Sequence, residues 1–307
     1  MSRWWDAVTL GPQRRARRMH RLLAALDASA LSATALSATS TKTRSRGWSR
    51  SKLPGAMIVI VAILGFSYTV MSGHAGVLKP LSGSLHENPP PGQGEALSPR
   101  GRPPRVDGHG GYAFSSTQDN STSPVAWDPC RQIHYVVAGS PTAGQSRQLT
   151  KAIAEISVAT GLQFVADGPT KEVPSRQRKD YQPGTYGDRW APLLVAWTSP
   201  DQLPDLAGAT IGQGGATEAQ IGVSPHVLVS GIVYLDQPQL ADLIRHQEEK
   251  VAYAVMLHEL GHAVGLAHVN DDHQVMYPET TLQVTDLGPG DRRGLAQLGQ
   301  GACVWQL

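Results

Sequence analysis

Acidic residues are almost missing from the first 52 positions, where only Asp6 and Asp27 stand against eleven Lys and Arg. The segment therefore carries a net +9; removing it from the chain totals of 27 basic and 25 acidic residues leaves 16 and 23, a net −7. The overall charge of +2 describes neither part. A body short of positive charge is a poor general ligand for nucleic acid, which is held by basic surface that displaces counterions. Between Lys52 and Lys79 charged residues vanish altogether, and Met57 to Met71 is almost wholly apolar. A buried helix of a soluble domain is the alternative to a membrane segment there. From Leu53 to Gly73 the run has about 20 residues, which at ~1.5 Å each cross a ~30 Å hydrocarbon layer. Its strong positive flank predicts residues 1–52 in the cytoplasm and everything after about residue 74 outside, with 53–73 as a membrane anchor. Small residues at Ser72–Gly76 leave open secretion after cleavage near Ala75, although a positive region this long is unusual for a signal peptide.

Cysteine is scarce too. Cys130 and Cys303 both lie beyond the apolar run. One pair in an oxidising compartment predicts a single disulfide closing nearly the whole carboxy-terminal region, with two buried thiols as the alternative.

Four regions follow from composition. Residues 1–52 form a basic, mostly disordered tail, 53–73 the hydrophobic segment, and 74–125 a spacer rich in Pro, Gly and Ser. From 126 to 307 the composition is that of a globular domain. Strands are expected at Ile133–Val137, Leu162–Val165, Leu193–Trp197 and Gly231–Leu235. Helices are expected at Gln148–Thr160, closed by Gly161, at Leu240–Val264, and in a short piece from Asp291. Residues 168–190 and 206–225, rich in Gly, Pro and polar groups, read as long loops. The class is α+β, with one mixed sheet, a long helix late in the chain and a loop-rich tail.

That late helix carries His258-Glu-Leu-Gly-His262, with His268 six residues on. Histidines four apart lie about 40° apart on one helical face, one turn up, and there they can chelate one metal ion. Glu259 sits beside that face, within reach of a water on the metal. His268 joins the pair only if the helix stops and the chain turns back, and Gly265 stands where glycine is needed to close a helix. Three neutral imidazoles leave the open fourth position of a catalytic zinc.

His258 to His268 resembles the metzincin zinc signature H-E-x-x-H-x-x-G-x-x-H. The stretch Asp271-Asp-His-Gln-Val-Met-Tyr-Pro278 resembles the Met-turn of the matrixin branch, and Leu287–Leu298 its closing helix. The resemblance implies a metzincin catalytic fold and hydrolysis of protein or peptide substrates, with zinc on His258, His262 and His268 and Glu259 as general base. It also implies Met276 as a hydrophobic floor under the metal and Tyr277 and Pro278 in the wall of a substrate pocket. By the same analogy, the strand Gly231–Leu235 or the segment before it pairs with an extended substrate. Two family features are missing: no cysteine precedes the domain to cap the zinc, and Gly208–Ile221 has no histidine for a second, structural zinc. His226 has no obvious companions. Calcium is left open without a supporting ligand set, since Asp236, Asp242, Asp271 and Asp272 read more as solvated surface than as ligands; His134, His246 and His273 read as surface or loop residues. Two other functions share this pattern: an inactive surface binding module on the same fold, and a zinc amidase acting on cell-wall peptides.

Overall fold

The structure is a computed structural model that describes residues 88–92, 96–119, 121–280 and 283–307, and the backbone of 3–10. The hydrophobic segment 53–73 and the basic tail from 11 to 52 lie outside the described residues. Among the described residues, no helix is long and apolar enough to cross a membrane.

One mixed sheet organises the domain. Its strands are β1 (Arg3–Leu10), β3 (Ala126–Trp127), β4 (Ile133–Ala138), β5 (Phe164–Thr170), β6 (Leu193–Thr198), β7 (Thr210–Ala219), β8 (Val227–Asp236) and β10 (Glu279–Thr280). The order across the sheet is β10-β1-β7-β8-β6-β4-β5, with β3 adding to β8. Strands β5, β4, β6 and β8 run parallel, while β7 is antiparallel to β8 and β1 antiparallel to β7. All residues of β6 and β8 are buried, as expected of interior strands covered on both faces.

Three helices pack on this sheet, α1 (Ala143–Thr160), α2 (Gln237–Arg245) and α3 (Glu249–Val264), and a fourth, α4 (Pro289–Leu298), packs on α1 and α3. Thr142 and Gln145 cap the start of α1 reciprocally, and Gly161 ends it in the left-handed conformation at φ 75°. Every residue of α3 from Val251 to Val264 is buried. A helix apolar all round must sit between layers, and α3 packs on β7 and β8 on one side and α1 on the other.

Two sequence expectations need correction. The helix expected at Leu240–Val264 is two helices, broken at His246–Glu248, where Gln247 takes φ 60°. The apolar spacing of Leu240, Leu243 and Val251 runs through this break, so periodicity alone hid it. The loop expected at 206–225 contains β7, whose glycines have little strand propensity of their own. It is a strand because β8 and β1 pair with its two edges. The stretch before the domain lies partly against it: β2 (Ala113–Phe114) pairs with β9 (Leu266–Ala267), just beyond α3.

Cys130 and Cys303 form a disulfide with their Cα atoms 5.4 Å apart, across a sequence separation of 173. Asp128 pins the same junction, accepting from the backbone N–H of Cys130 at 2.8 Å and of Val304 at 3.0 Å. In the chain-entropy model so long a closed loop contributes about 3–5 kcal/mol.

A second clamp holds the loop before β6. Arg178, 6% exposed, donates to both oxygens of Glu172 (2.8 and 3.1 Å), to Ser230 Oγ at 2.9 Å and to the Pro192 carbonyl at 2.8 Å. Burial pushes the Glu172 carboxyl up, but hydrogen bonds and charge from Arg178 outweigh it and hold it below its ordinary value. That stability is present above the ordinary carboxylate range and lost as pH falls through the folded value. Arg178→Ala is expected to destabilise the domain by about 3–5 kcal/mol, because a buried carboxylate loses its partner. Urea unfolding at pH 7 and pH 4 checks both points: a large loss at the higher pH and a flatter acid limb.

Candidate active site

The end of α3 builds the site. Gly265, at φ 117°, closes the helix in the left-handed region, and its N–H bonds back to the Gly261 and His262 carbonyls. The chain then reverses into β9, which brings His268 back beside His258 and His262. The three Nε2 atoms stand 2.9, 3.1 and 3.2 Å apart. Tetrahedral bonds of ~2.0–2.1 Å to one zinc ion set donor atoms ~3.3 Å apart, close to this spacing.

The chemistry of the ring nitrogens fits a cation. His258 Nδ1 lies 2.6 Å from the Val275 carbonyl and His262 Nδ1 2.8 Å from the Leu266 carbonyl. A carbonyl only accepts, so each Nδ1 carries the proton and each Nε2 presents a lone pair. Burial, then the neighbouring histidines, holds His258 well below its ordinary pKa; the same two causes lower His262 to about 3. Neutral imidazoles with lone pairs converging on one point are satisfied by a metal ion. The residues present fit zinc.

Glu259 is wholly buried beside this triad. Met276 is 1% exposed and packs against Gly261, where a Cβ would come within 2.6 Å of its Sδ. Its carbonyl accepts from Val269 N–H at 3.1 Å, which ties the turn to the residue after His268. Tyr277 and Pro278 follow, half-buried, and lead into β10. Beside His258 a narrow pocket is lined by Ala254, Val275, Glu279, Thr280 and Val284. A separate cavity of about 370 Å³, bounded by Trp127, Arg131, Trp190 and Leu193, shares no residue with the triad.

Asp291 is a residue that the spacing of motifs does not reveal. It is fully buried at the start of α4 and accepts from three backbone N–H groups, Val275 (2.7 Å), Gly288 (2.9 Å) and Met276 (3.3 Å). Burial pushes its carboxyl up while those three donors pull it down, leaving it raised. The peptide unit it steadies includes the carbonyl on which His258 rests. In sequence Asp291 looks like any acidic residue in the first turn of a helix, and nothing local distinguishes it.

Between β7, which lies against Glu259, and β10 there is a slot the width of one strand. Strand β1 occupies it, antiparallel to β7 and parallel to β10, with Val8 opposite Gly212, Thr9 opposite Glu279 and Leu10 opposite Thr280. Of the two segments expected to pair with substrate, the strand Gly231–Leu235 lies inside the sheet with both edges taken by β7 and β6, and the segment before it contains β7. The unbroken apolar run of Gly231–Leu235 is the mark of an interior strand, and β7 is the one that offers an edge to the slot.

The other acidic and histidine residues have ordinary partners. Asp236 caps α2 through Gln239 N–H at 3.0 Å, and Asp242 pairs with Arg245 at 3.1 Å. Asp271 accepts from Gly111 N–H at 3.0 Å, and Asp272 pairs with His273 at 2.9 Å. His134 pairs with Asp167 at 2.7 Å, and His246 Nδ1 lies 2.8 Å from the Asp242 carbonyl. His226 does have companions, Asp119 at 3.5 Å, far from it in sequence, and Glu218 at 3.9 Å on the neighbouring strand β7.

Comparison with known proteins agrees with this geometry. The family model described as matrixin matches residues 196–299. Among solved structures, archaemetzincin from Methanopyrus kandleri matches at 16% identity with a TM-score of 0.34, over 55% of this chain and 94% of that one. No curated protein matches in sequence. The matrixin match runs from within β6 to the end of α4 and takes in all three histidines, Glu259 and Met276, so over residues 196–299 this chain matches the matrixin family of zinc metallopeptidases.

Proposed function

We propose that this matrixin domain acts outside the cytoplasmic membrane as an endopeptidase on extended stretches of protein, tethered through residues 53–73. The slot above Glu259 carries the reading. A strand paired from Arg3, opposite Thr217, to Leu10, opposite Thr280, passes Glu259 and continues beyond it on both sides. A cleft open at both ends takes internal bonds, and main-chain pairing accepts many sequences.

His258, His262 and His268 would hold the zinc. Bound there, it polarises the scissile carbonyl and lowers the pKa of a water to about 7. Glu259 takes the proton from the attacking water and delivers it to the leaving amine, so the C–N bond breaks with a neutral product. The carbonyls of Val275 and Leu266 keep the two helix imidazoles in the donor tautomer throughout. Digestion of an unfolded protein by the purified chain is expected to give internal cleavages that stop with a zinc chelator and return with added zinc. A folded, zinc-loaded chain that cuts nothing overturns the reading.

The sorted charge around 53–73 supports a cytoplasmic tail and an external domain. A span there puts residues 3–10 across the bilayer from the domain and leaves the seat on β7 to substrate. In detergent solution the two share one phase. Removing residues 2–10 is then expected to lower KM for a short fluorogenic peptide by about threefold or more, because a tethered competitor is lost, with kcat unchanged. An unchanged KM would mean that the segment does not compete.

A further inference from the structure

The contact between β7 and α3 is closer than side chains allow. Gly212 and Gly214 lie two apart on β7, so both present the same face of the strand, and that face meets Glu259. A Cβ on Gly212 would stand 2.6 Å from Glu259 Oε1, 2.8 Å from Cγ and 2.9 Å from Cδ. A Cβ on Gly214 would meet the backbone of the same residue, 2.9 Å from both its Cα and its carbonyl carbon. Neither glycine has a positive φ, so neither is explained by backbone conformation. What they share is Glu259.

We propose that Gly212 and Gly214 are positioning residues for the general base: by carrying no side chain they let Glu259 sit directly beneath the strand to which the substrate backbone adds. Gly214 sets the depth, since it meets backbone that cannot rotate away. Gly212 sets the direction of the carboxylate, since its missing Cβ leaves the space in which that group lies. Strand β7 thus does two things at once. Its edge pairs with an extended chain, with Val8 opposite Gly212, and its inner face fixes the distance from that chain to the proton acceptor. Any side chain at 212 would push the carboxylate out of line with the bond held on the other side of the same residue.

This inference rests on the endopeptidase reading, and the test separates the two. In Gly212→Ala, kcat is expected to fall about 10- to 100-fold, the cost of misplacing a reacting group by about 1 Å, while KM and the zinc content per chain stay as in the unaltered protein. Val158→Ala, exposed on α1, is expected to keep its kcat. Because the effect runs through Glu259, adding Gly212→Ala to a Glu259→Gln chain should change the residual rate by less than about twofold. Should Gly212→Ala fail to fold, Glu259→Ala in the same chain removes the clashing atoms and is expected to restore folding. An unaltered kcat in Gly212→Ala overturns the proposal, as does an equal loss in the presence and absence of the Glu259 carboxylate. If the unaltered chain cleaves nothing, the reading of the function fails, and a crystal structure of Gly212→Ala still decides this point: an unmoved Glu259 carboxylate overturns it.

Discussion

Glu259→Gln is expected to lower kcat by about 10²- to 10⁴-fold while the chain stays folded and keeps one zinc, because general base catalysis is the only role the substitution removes. Gln has the size of Glu and fits the same space under Gly212, so packing is conserved. It leaves the metal ligands held, since the rings of His258 and His262 are steadied by the carbonyls of Val275 and Leu266. It cannot take up the proton of the attacking water. KM should change little, because pairing along β7 and β10 uses main-chain groups. Steady-state kinetics on a fluorogenic peptide, with metal analysis of the same sample, separates the possibilities. Zinc lost along with activity would make Glu259 part of the metal site, and a retained kcat would place the base elsewhere.

The parts of the site that are legible in sequence are those set by local geometry. Two histidines one helical turn apart, a glycine that closes the helix and a third histidine six residues on define a convergent donor set. The folded chain places their Nε2 atoms within 3.2 Å of one another. The interior strands β6 and β8 were legible for the same reason, as short apolar runs, and Gly161 marked the end of α1. What was not legible depends on partners brought in from elsewhere. Strand β7 looks like a loop because its Gly-Gln-Gly-Gly run has neither alternation nor β-branched residues; only its neighbours make it a strand. The break at Gln247 hides beneath a continuous apolar spacing. His226 has no companion legible in sequence because Asp119 comes from a distant segment and Glu218 reaches it only through the pairing of β7 with β8.

Burial ties these features together. The triad works because α3 is enclosed between the sheet and α1, which keeps His258 and His262 neutral and their lone pairs free for a cation. The same enclosure makes each buried polar group in the vicinity dependent on a specific partner. A helix so placed cannot supply those partners itself, since its own backbone groups are used internally. They come instead from β9, from the Met-turn and from α4, so removing one of them should be felt at the metal.

Asp291→Ala is the sharpest form of that expectation. The substitution leaves the N–H groups of Val275, Met276 and Gly288 without their acceptor in a site closed to solvent. At about 1–3 kcal/mol for each buried group left unpaired, the domain is expected to lose roughly 3 kcal/mol or more. The metal should respond as well. The peptide unit that Asp291 holds by the Met276 N–H at 3.3 Å presents the Val275 carbonyl to His258 Nδ1 at 2.6 Å, and loss of such an outer partner typically weakens metal binding about 10- to 100-fold. Competition with a chromophoric chelator measures the second effect and urea unfolding of the zinc-free chain the first. Asp291→Asn, which keeps one acceptor oxygen, should fall between the two. A variant that is destabilised but binds zinc as tightly as before would limit Asp291 to holding the turn. One that loses zinc affinity beyond its loss of stability would link the carboxylate, through Val275, to the orientation of His258.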